Sequence, residues 1–403
     1  VQTCALPILK MLKKLMGSAA LLTLLAGPAV ADTVKIGFVT TLTTPVAVIG
    51  KDMRDAVDLA VEHIGGKMGD LDVEIVYADD EFNSQKGKQA TERLVLSDKV
   101  DIVAGYIWSN VLLASAPVVL GEGKILISAN AGPSPLAGAQ CNENFFNIAW
   151  QNDQTPMALG ELLNQQGVQS LYLVAPNYAA GQNMVAGVER TFKGKVVGKD
   201  MTVWPSQRDW SAELTKVKAA KPEGVFTFYP GPAGPAFIKQ YQQAGLAGDV
   251  PLYSVYTLDS ISLPLFQKAG METVLGTKMT QFWAPDLDNA TNKKFVADFR
   301  AKYGRYPSFY AAQSYDSIMY IASAVKAVNG DVKNTDGMRA ALKAANFDSV
   351  RGPFKMGNNH FPIQNFYERT VVKDADGNWT TAVGRAVLKD HQDPYAGQCK
   401  MKG

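Results

Sequence analysis

Val34-Lys35-Ile36-Gly37-Phe38-Val39 reads as a short apolar strand, and Thr40 to Pro45 as a polar turn. Met53, Ala56, Val57, Ala60, Val61 and Ile64 then fall at helical spacing, a continuous apolar stripe that stops at Gly65-Gly66. The same phrase of strand, turn and helix returns along the chain. Further strands read at 73–77, 101–105, 125–128, 171–174, 225–229 and 252–256. Strands alternating with helices pack as parallel sheets covered on both faces. Ligands of such sheets lie outside the carboxyl ends of the strands, so function is sought in the residues just after each strand.

The first 31 residues stand apart from that pattern. Met11-Leu12-Lys13-Lys14-Leu15 is a basic start, 19–25 is apolar but too short for a permanent anchor, and Ala29-Val30-Ala31 offers small residues for cleavage. Together they read as a secretory signal peptide removed before Asp32, with 1–10 lying ahead of the start at Met11. No Cys follows the apolar run to carry a lipid. Removing 31 of the 403 residues leaves 372, room for two domains. Lys10, Lys13 and Lys14 leave with the leader, so the formal net charge of +2 becomes −1. A near-neutral chain has no electrostatic case for nucleic acid or an anionic membrane. Cys4 lies ahead of the leader, which leaves Cys141 and Cys399. An even pair in an oxidising compartment points to one disulfide, the other reading being two buried thiols.

Ser84 is placed to cap the second helix, with Ala90, Leu94 and Val95 inward. Residues 153–166 open a second set of strand–helix units, so a second lobe starts near Trp150. From Lys278 the texture changes: 278–283 reads as extended, 286–292 as a polar loop, 293–303 and 309–328 as helices. Residues 366–373 and 379–387, joined by Asp374-Ala375-Asp376-Gly377, read as a hairpin.

Much chemistry has no residues to carry it. His63, His360 and His391 are far apart, and neither zinc spacing nor a nucleophile elbow, phosphate loop or dinucleotide loop occurs. In Gly231-Pro232-Ala233-Gly234-Pro235 the prolines remove amide donors that a phosphate cradle needs. Asp79-Asp80-Glu81 reads as cap and loop hydrogen bonding rather than a metal or acid site. No cofactor is expected, and an enzyme on a doubly wound fold is the less favoured class.

Three strand ends are suited to an anion. Gly105-Tyr106-Ile107-Trp108-Ser109-Asn110 and Ser128-Ala129-Asn130-Ala131-Gly132-Pro133-Ser134 follow successive strands, and Asn177-Tyr178-Ala179-Ala180-Gly181 does the same in the second lobe. Small side chains let backbone N–H groups approach a ligand, and a Ser hydroxyl adds a donor. These segments, with Val34 to Gly37, Leu42-Thr43-Thr44-Pro45, Tyr77-Ala78-Asp79-Asp80 and Gln240 to Leu246, resemble the periplasmic solute-binding proteins of ABC importers, in the leucine/isoleucine/valine-binding branch. The resemblance spans the mature chain. It implies two doubly wound α/β lobes joined by three crossovers, near Ile148, Thr280 and Phe361, that close on one ligand. Lobe 1 would be 32–148 plus 281–361, lobe 2 149–280 plus 362–390, and 391–403 a tail. It also implies a monomer in the periplasm that hands a small molecule to permease subunits.

The family pocket carries over by position. Ser109 matches a hydroxyl that binds the ligand carboxylate. Ala131 and Gly132, beside Asn130, match a turn that supplies backbone groups and a Thr, replaced here by Gly132. Tyr178 and Tyr310 match aromatic contacts, and Ile49 a residue touching the ligand side chain. Two departures concern charge and shape. Tyr256 stands where amino-acid binders place the acidic partner of the ligand ammonium, and a family aromatic is replaced near Pro230-Gly231. An ammonium buried without a carboxylate is costly. With Trp108, the tyrosines would line the cleft with rings. The pattern looks like the branch that binds aromatic acids of benzoate or hydroxycinnamate type. A branched-chain amino acid or small amide is the alternative.

Overall fold

The computed structural model describes residues 32–401. Its first sheet holds β1 (Thr33–Thr40), β2 (Lys67–Met68), β3 (Leu71–Asp79), β4 (Ile102–Gly105), β5 (Ile125–Ser128) and β6 (Phe145–Asn147), in the order β2-β3-β1-β4-β5-β6. The second holds β7 (Ser170–Pro176), β8 (Lys195–Thr202), β9 (Gly224–Thr227), β10 (Leu252–Ser254), β11 (Lys278–Gln281), β12 (Lys355–Met356), β13 (Pro362–Lys373) and β14 (Trp379–His391). Their order is β12-β13-β11-β10-β9-β7-β8, with β14 on β13. Two α/β lobes result, and each sheet is mixed rather than wholly parallel. β2 runs antiparallel to β3, and β13 runs antiparallel to β11, β12 and β14.

The helix Ala47–His63 buries Met53, Ala56, Val57 and Ala60 as its stripe requires, and Gly65 and Gly66 take left-handed backbone just beyond it. The second helix starts one residue earlier than its cap was read. Asn83, not Ser84, accepts from the N–H groups of Gln85 and Lys86.

The chain passes between the sheets three times. It leaves β6 for the helix Gln154–Gln165, leaves β11 for the helix Ala290–Tyr303, and returns from the helix Thr335–Ala344 to β12 and β13. The helix Phe309–Ala327 packs on Ala47–His63, which places it with the first lobe. Arg351 sits where the three passages meet. Its guanidinium donates to the Ala149 carbonyl at 3.2 Å, to Gln364 Oε1 at 2.9 Å and to Asp316 Oδ2 at 3.1 Å, and lies 5.6 Å from the Phe282 ring.

Cys141 and Cys399 form a disulfide, with Cα atoms 5.6 Å apart. Asp393 accepts from Asn359 and Tyr395 donates to Asp153, so the tail lies against both the third and first passages. Among the described residues no helix is long and apolar enough to cross a membrane.

Candidate functional site

The carboxyl ends of the strands in the two lobes face each other across a small, narrow cavity. From the first lobe, β4 ends at Gly105 and delivers Ile107, Trp108 and Ser109, while β5 leads into Asn130 and Ala131. A side chain at Gly105 would put its Cβ 2.2 Å from the Val39 carbonyl, and its φ of 111° also demands glycine. From the second lobe, β7 delivers Tyr178 and Ala180, β9 delivers Phe228 and Pro230, and β10 delivers Tyr256. Trp150 and Asn152 come from the first passage between lobes, Met184 from the helix Ala179–Thr191 and Tyr310 from the helix Phe309–Ala327.

One end of the cavity is made of unspent donors. The helices Ser109–Gly121 and Ala179–Thr191 both begin there, one from each lobe, and neither Trp108 nor Tyr178 caps its helix with a side chain. The first N–H groups of a helix have no intrahelical partner and carry partial positive charge. Ser109 Oγ accepts from Asn152 Nδ2 at 3.0 Å, which leaves its own proton to donate. The Asn152 amide oxygen accepts from the Gly132 N–H at 3.1 Å and the Trp150 indole at 3.3 Å. Among the described residues, no Lys, Arg, His, Asp or Glu lines the cavity. An anion here would be met by dipoles and hydroxyls, and a cation by nothing of opposite charge.

The rest of the wall is rings. Tyr256 stacks on Trp150 at 4.8 Å and 22°, lies 5.0 Å from Phe309, and meets Phe228 edge-on at 6.0 Å. Its backbone is left-handed, with φ 58°, which turns the side chain out of the strand line. The Tyr256 hydroxyl pairs with Thr155 Oγ1, and burial pushes its pKa well up, so the phenol stays neutral. Burial raises Tyr178 and Tyr310 likewise. Trp108 donates through Nε1 to Thr41 at 2.9 Å, and Thr41 donates to Asp80 at 2.6 Å. Burial lifts Asp80 to about 6. Asp79 accepts from Leu42, Thr43 and Glu81, so the acidic cluster holds loops.

Trp108, Ser109, Asn130, Ala131, Tyr178, Pro230, Tyr256 and Tyr310 come together on this wall, and Ile49 and Gly132 do not. Ile49 stands behind it, where a Cβ on Gly231 would approach its Cδ1 to 3.2 Å. Gly132 is needed by packing: a Cβ would lie 1.9 Å from the Trp150 carbonyl. The turn expected to offer backbone donors has spent them, Ala131 N–H on the Tyr106 carbonyl and Gly132 N–H on Asn152. The Asn130 amide is spent too, donating to Ile107 O and accepting from Gln313. Ile107, Trp150, Asn152, Ala180, Met184 and Phe228 were not singled out as site residues. Trp150 and Asn152 had one signal, the polar run Gln151-Asn152-Asp153-Gln154 behind an aromatic at the lobe junction.

Comparison with known proteins adds three likenesses and a family match. The profile of a family described as periplasmic binding protein matches residues 33–377. A Leu/Ile/Val-binding protein homologue from Brucella melitensis is 27% identical over 369 residues, covering 89% of this chain and 93% of its own. The crystal structure of an ABC-transporter solute-binding protein from R. palustris in complex with benzoate is 30% identical, with a TM-score of 0.84 over 92% of this chain and 100% of that one. A solute-binding protein from Rhodopseudomonas palustris HaA2 in complex with p-hydroxybenzoic acid is 26% identical, with a TM-score of 0.83 and coverage of 92% and 100%.

Proposed function

The chain belongs to the periplasmic binding protein family, the solute-binding components of ABC transporters, and we propose that its solute is an aromatic monocarboxylate of benzoate or hydroxycinnamate type. One observation carries the reading. The cavity is walled by Trp108, Trp150, Tyr178, Phe228, Tyr256 and Tyr310, ends on two helix N-termini and Ser109, and has no acidic side chain. The carboxylate sits at the donor end, where Ser109 and the first helical N–H groups satisfy it. The ring lies among the aromatic faces, against Trp150 and Tyr256. Nothing in the wall neutralises an α-ammonium, so an amino acid would bury a bare charge.

The working cycle is capture and closure. The ligand binds the closed form better than the open form and shifts the population by that difference. Closure then presents both lobes to the permease as one surface. The protein works as an exported monomer, cut after Ala31, which N-terminal sequencing of periplasmic material tests by finding Asp32 first.

The likeness to a Leu/Ile/Val-binding homologue favours a second reading, a branched-chain amino acid. Calorimetry of the mature protein with 4-hydroxybenzoate and with leucine separates the two. We expect heat with the aromatic acid and none with leucine. Micromolar leucine binding with no response to any aromatic acid overturns the proposal.

A further inference from the structure

Trp204 stands outside the cavity wall, in the loop that follows β8, yet it is packed between rings of both lobes. On its own lobe it stacks on Tyr178 at 5.6 Å and 16°. Across the cleft it meets Phe82 at 5.7 Å and 78°, and Trp108 at 6.2 Å and 52°. Phe82 and Trp108 are in turn 4.2 Å apart. Tyr178 and Trp108 both line the cavity, so the indole backs the wall where the lobes meet.

We infer that Trp204 is the clasp of the closed form, a positioning residue that holds the lobes together over the solute and sets the rate at which solute leaves. The inference rests on the solute-binding reading, but not on which solute is bound. The seat on the first lobe is held by hydrogen bonds in which Trp204 takes no part. Asp80 Oδ1 accepts the Phe82 N–H at 2.9 Å and the Thr41 hydroxyl at 2.6 Å, and Thr41 accepts the Trp108 indole at 2.9 Å. One fully buried carboxylate therefore orients both rings. Trp204 itself is held differently. Its Nε1 is buried without a hydrogen-bond partner, so stacking alone fixes the ring in the cleft. The contact across the cleft, edge-on with Phe82 and tilted with Trp108, parts without breaking a polar bond, which suits a closure that must be reversible. Beside it, Asn183 Nδ2 donates to Ser134 Oγ at 3.1 Å, a polar contact between the same two lobes that keeps their register.

The test uses the mature, disulfide-bonded protein with Trp204→Ala and Trp204→Phe. Stopped-flow fluorescence follows release of 4-hydroxybenzoate and of leucine, whichever the wild type holds. Trp204→Ala should release it roughly tenfold faster with little change in association rate, since lost closure contacts act on dissociation. Trp204→Phe keeps a ring and should stay near the wild type. Unchanged release from Trp204→Ala, or a Phe variant as fast as the Ala variant, overturns the clasp. A wild type that holds leucine and not 4-hydroxybenzoate overturns the proposed ligand, while the clasp is still tested on leucine. A ligand-free readout covers the case where neither binds. Spin labels at Leu96→Cys and Leu265→Cys, exposed positions on opposite lobes, should report a shift to longer distances in Trp204→Ala. An unchanged distance distribution overturns the clasp.

Discussion

Ser109 is prepared as a donor by its neighbour. The Asn152 amide occupies the hydroxyl oxygen at 3.0 Å, which leaves the proton available to an acceptor in the cavity. Bonds to a charged group contribute about 1.5–3 kcal/mol, so Ser109→Ala should weaken 4-hydroxybenzoate binding roughly tenfold or more with the melting temperature unchanged. Calorimetry that finds the same affinity removes Ser109 from the site. Tyr256 works through its ring, because its hydroxyl is committed to Thr155. Tyr256→Phe should therefore bind within a few-fold of the wild type, whereas Tyr256→Glu, which adds a negative charge to a cavity without a cation, should abolish binding. Equal loss in both variants would mean that the hydroxyl, not the neutral ring, matters. The small and hydroxylated residues after β4, β5 and β7 were readable because such residues gather where a backbone must approach a ligand. Phe228 was not, since an apolar residue just past Thr227 looks like one more strand position until the strand is seen to end. Asn152 was obscured for another reason: its partners, Ser109 and Gly132, are distant in sequence and adjacent only in the folded chain.

Elements with two buried faces announced themselves, and edge elements did not. β4 and β5 are buried at every position and read as continuous apolar runs. β8, Lys195 to Thr202, went unread because it lies at the sheet edge, is half-buried, and has its apolar residues interrupted by Gly198, Lys199 and Asp200. The reading also carried β9 and β10 two residues too far, through Tyr229 and Tyr256, because aromatic residues favour strands and nothing local marks the left-handed turn at Tyr256. The segment between the helix Thr335–Ala344 and β13 supplies a prediction of its own. His360 stacks on Phe146 at 4.1 Å and 4°, its Nδ1–H donates to the Phe145 carbonyl at 3.0 Å, and its own carbonyl accepts the Asn147 N–H. Burial pushes the imidazole from 6.5 down to about 4. Between those values the unfolded chain takes up a proton that the folded chain refuses. The stability from this group is thus complete above pH 6.5 and is lost as pH falls toward 4, by on the order of 3 kcal/mol in all. His360→Gln should be less stable than the wild type at pH 7, with the gap narrowing at pH 4.5 in urea unfolding. A gap that is the same at both pH values would show that the ring does not stay neutral.

At the scale of the molecule, three passages of chain join the two lobes, and the lobes were more legible in the sequence than the joint. The disulfide was legible as an even Cys pair once the leader reading set Cys4 aside. It closes a separation of 258 residues, for which chain entropy gives roughly 5–6 kcal/mol. Cys141→Ser with Cys399→Ser should lower the melting temperature and free the tail from the first lobe without removing the cavity, which neither Cys lines. Unchanged melting would mean that the tail contacts of Asp393 and Tyr395 suffice. The joint itself depends on a buried pair that no local pattern marks, Arg351 with Asp316, 35 residues apart. Arg351 reaches the first passage at Ala149 and the third at Gln364, with the Phe282 ring of the second beside it. Asp316 is completed by the Ser349 hydroxyl at 2.6 Å and the Val350 N–H at 3.0 Å. Arg351→Met leaves that carboxylate buried without its cation and should cost about 3–5 kcal/mol. Adding Asp316→Asn removes the stranded charge, so the double variant should recover much of the stability in denaturant unfolding at pH 7. It should not recover the hinge, because Ala149 and Gln364 still lack the guanidinium that tied the first and third passages together. The expected result is a stable protein with a broader spread of inter-lobe distances between spin labels than the wild type. A double variant as unstable as Arg351→Met alone would place the cost in lost packing against Phe282 and Phe354 instead of in the charge.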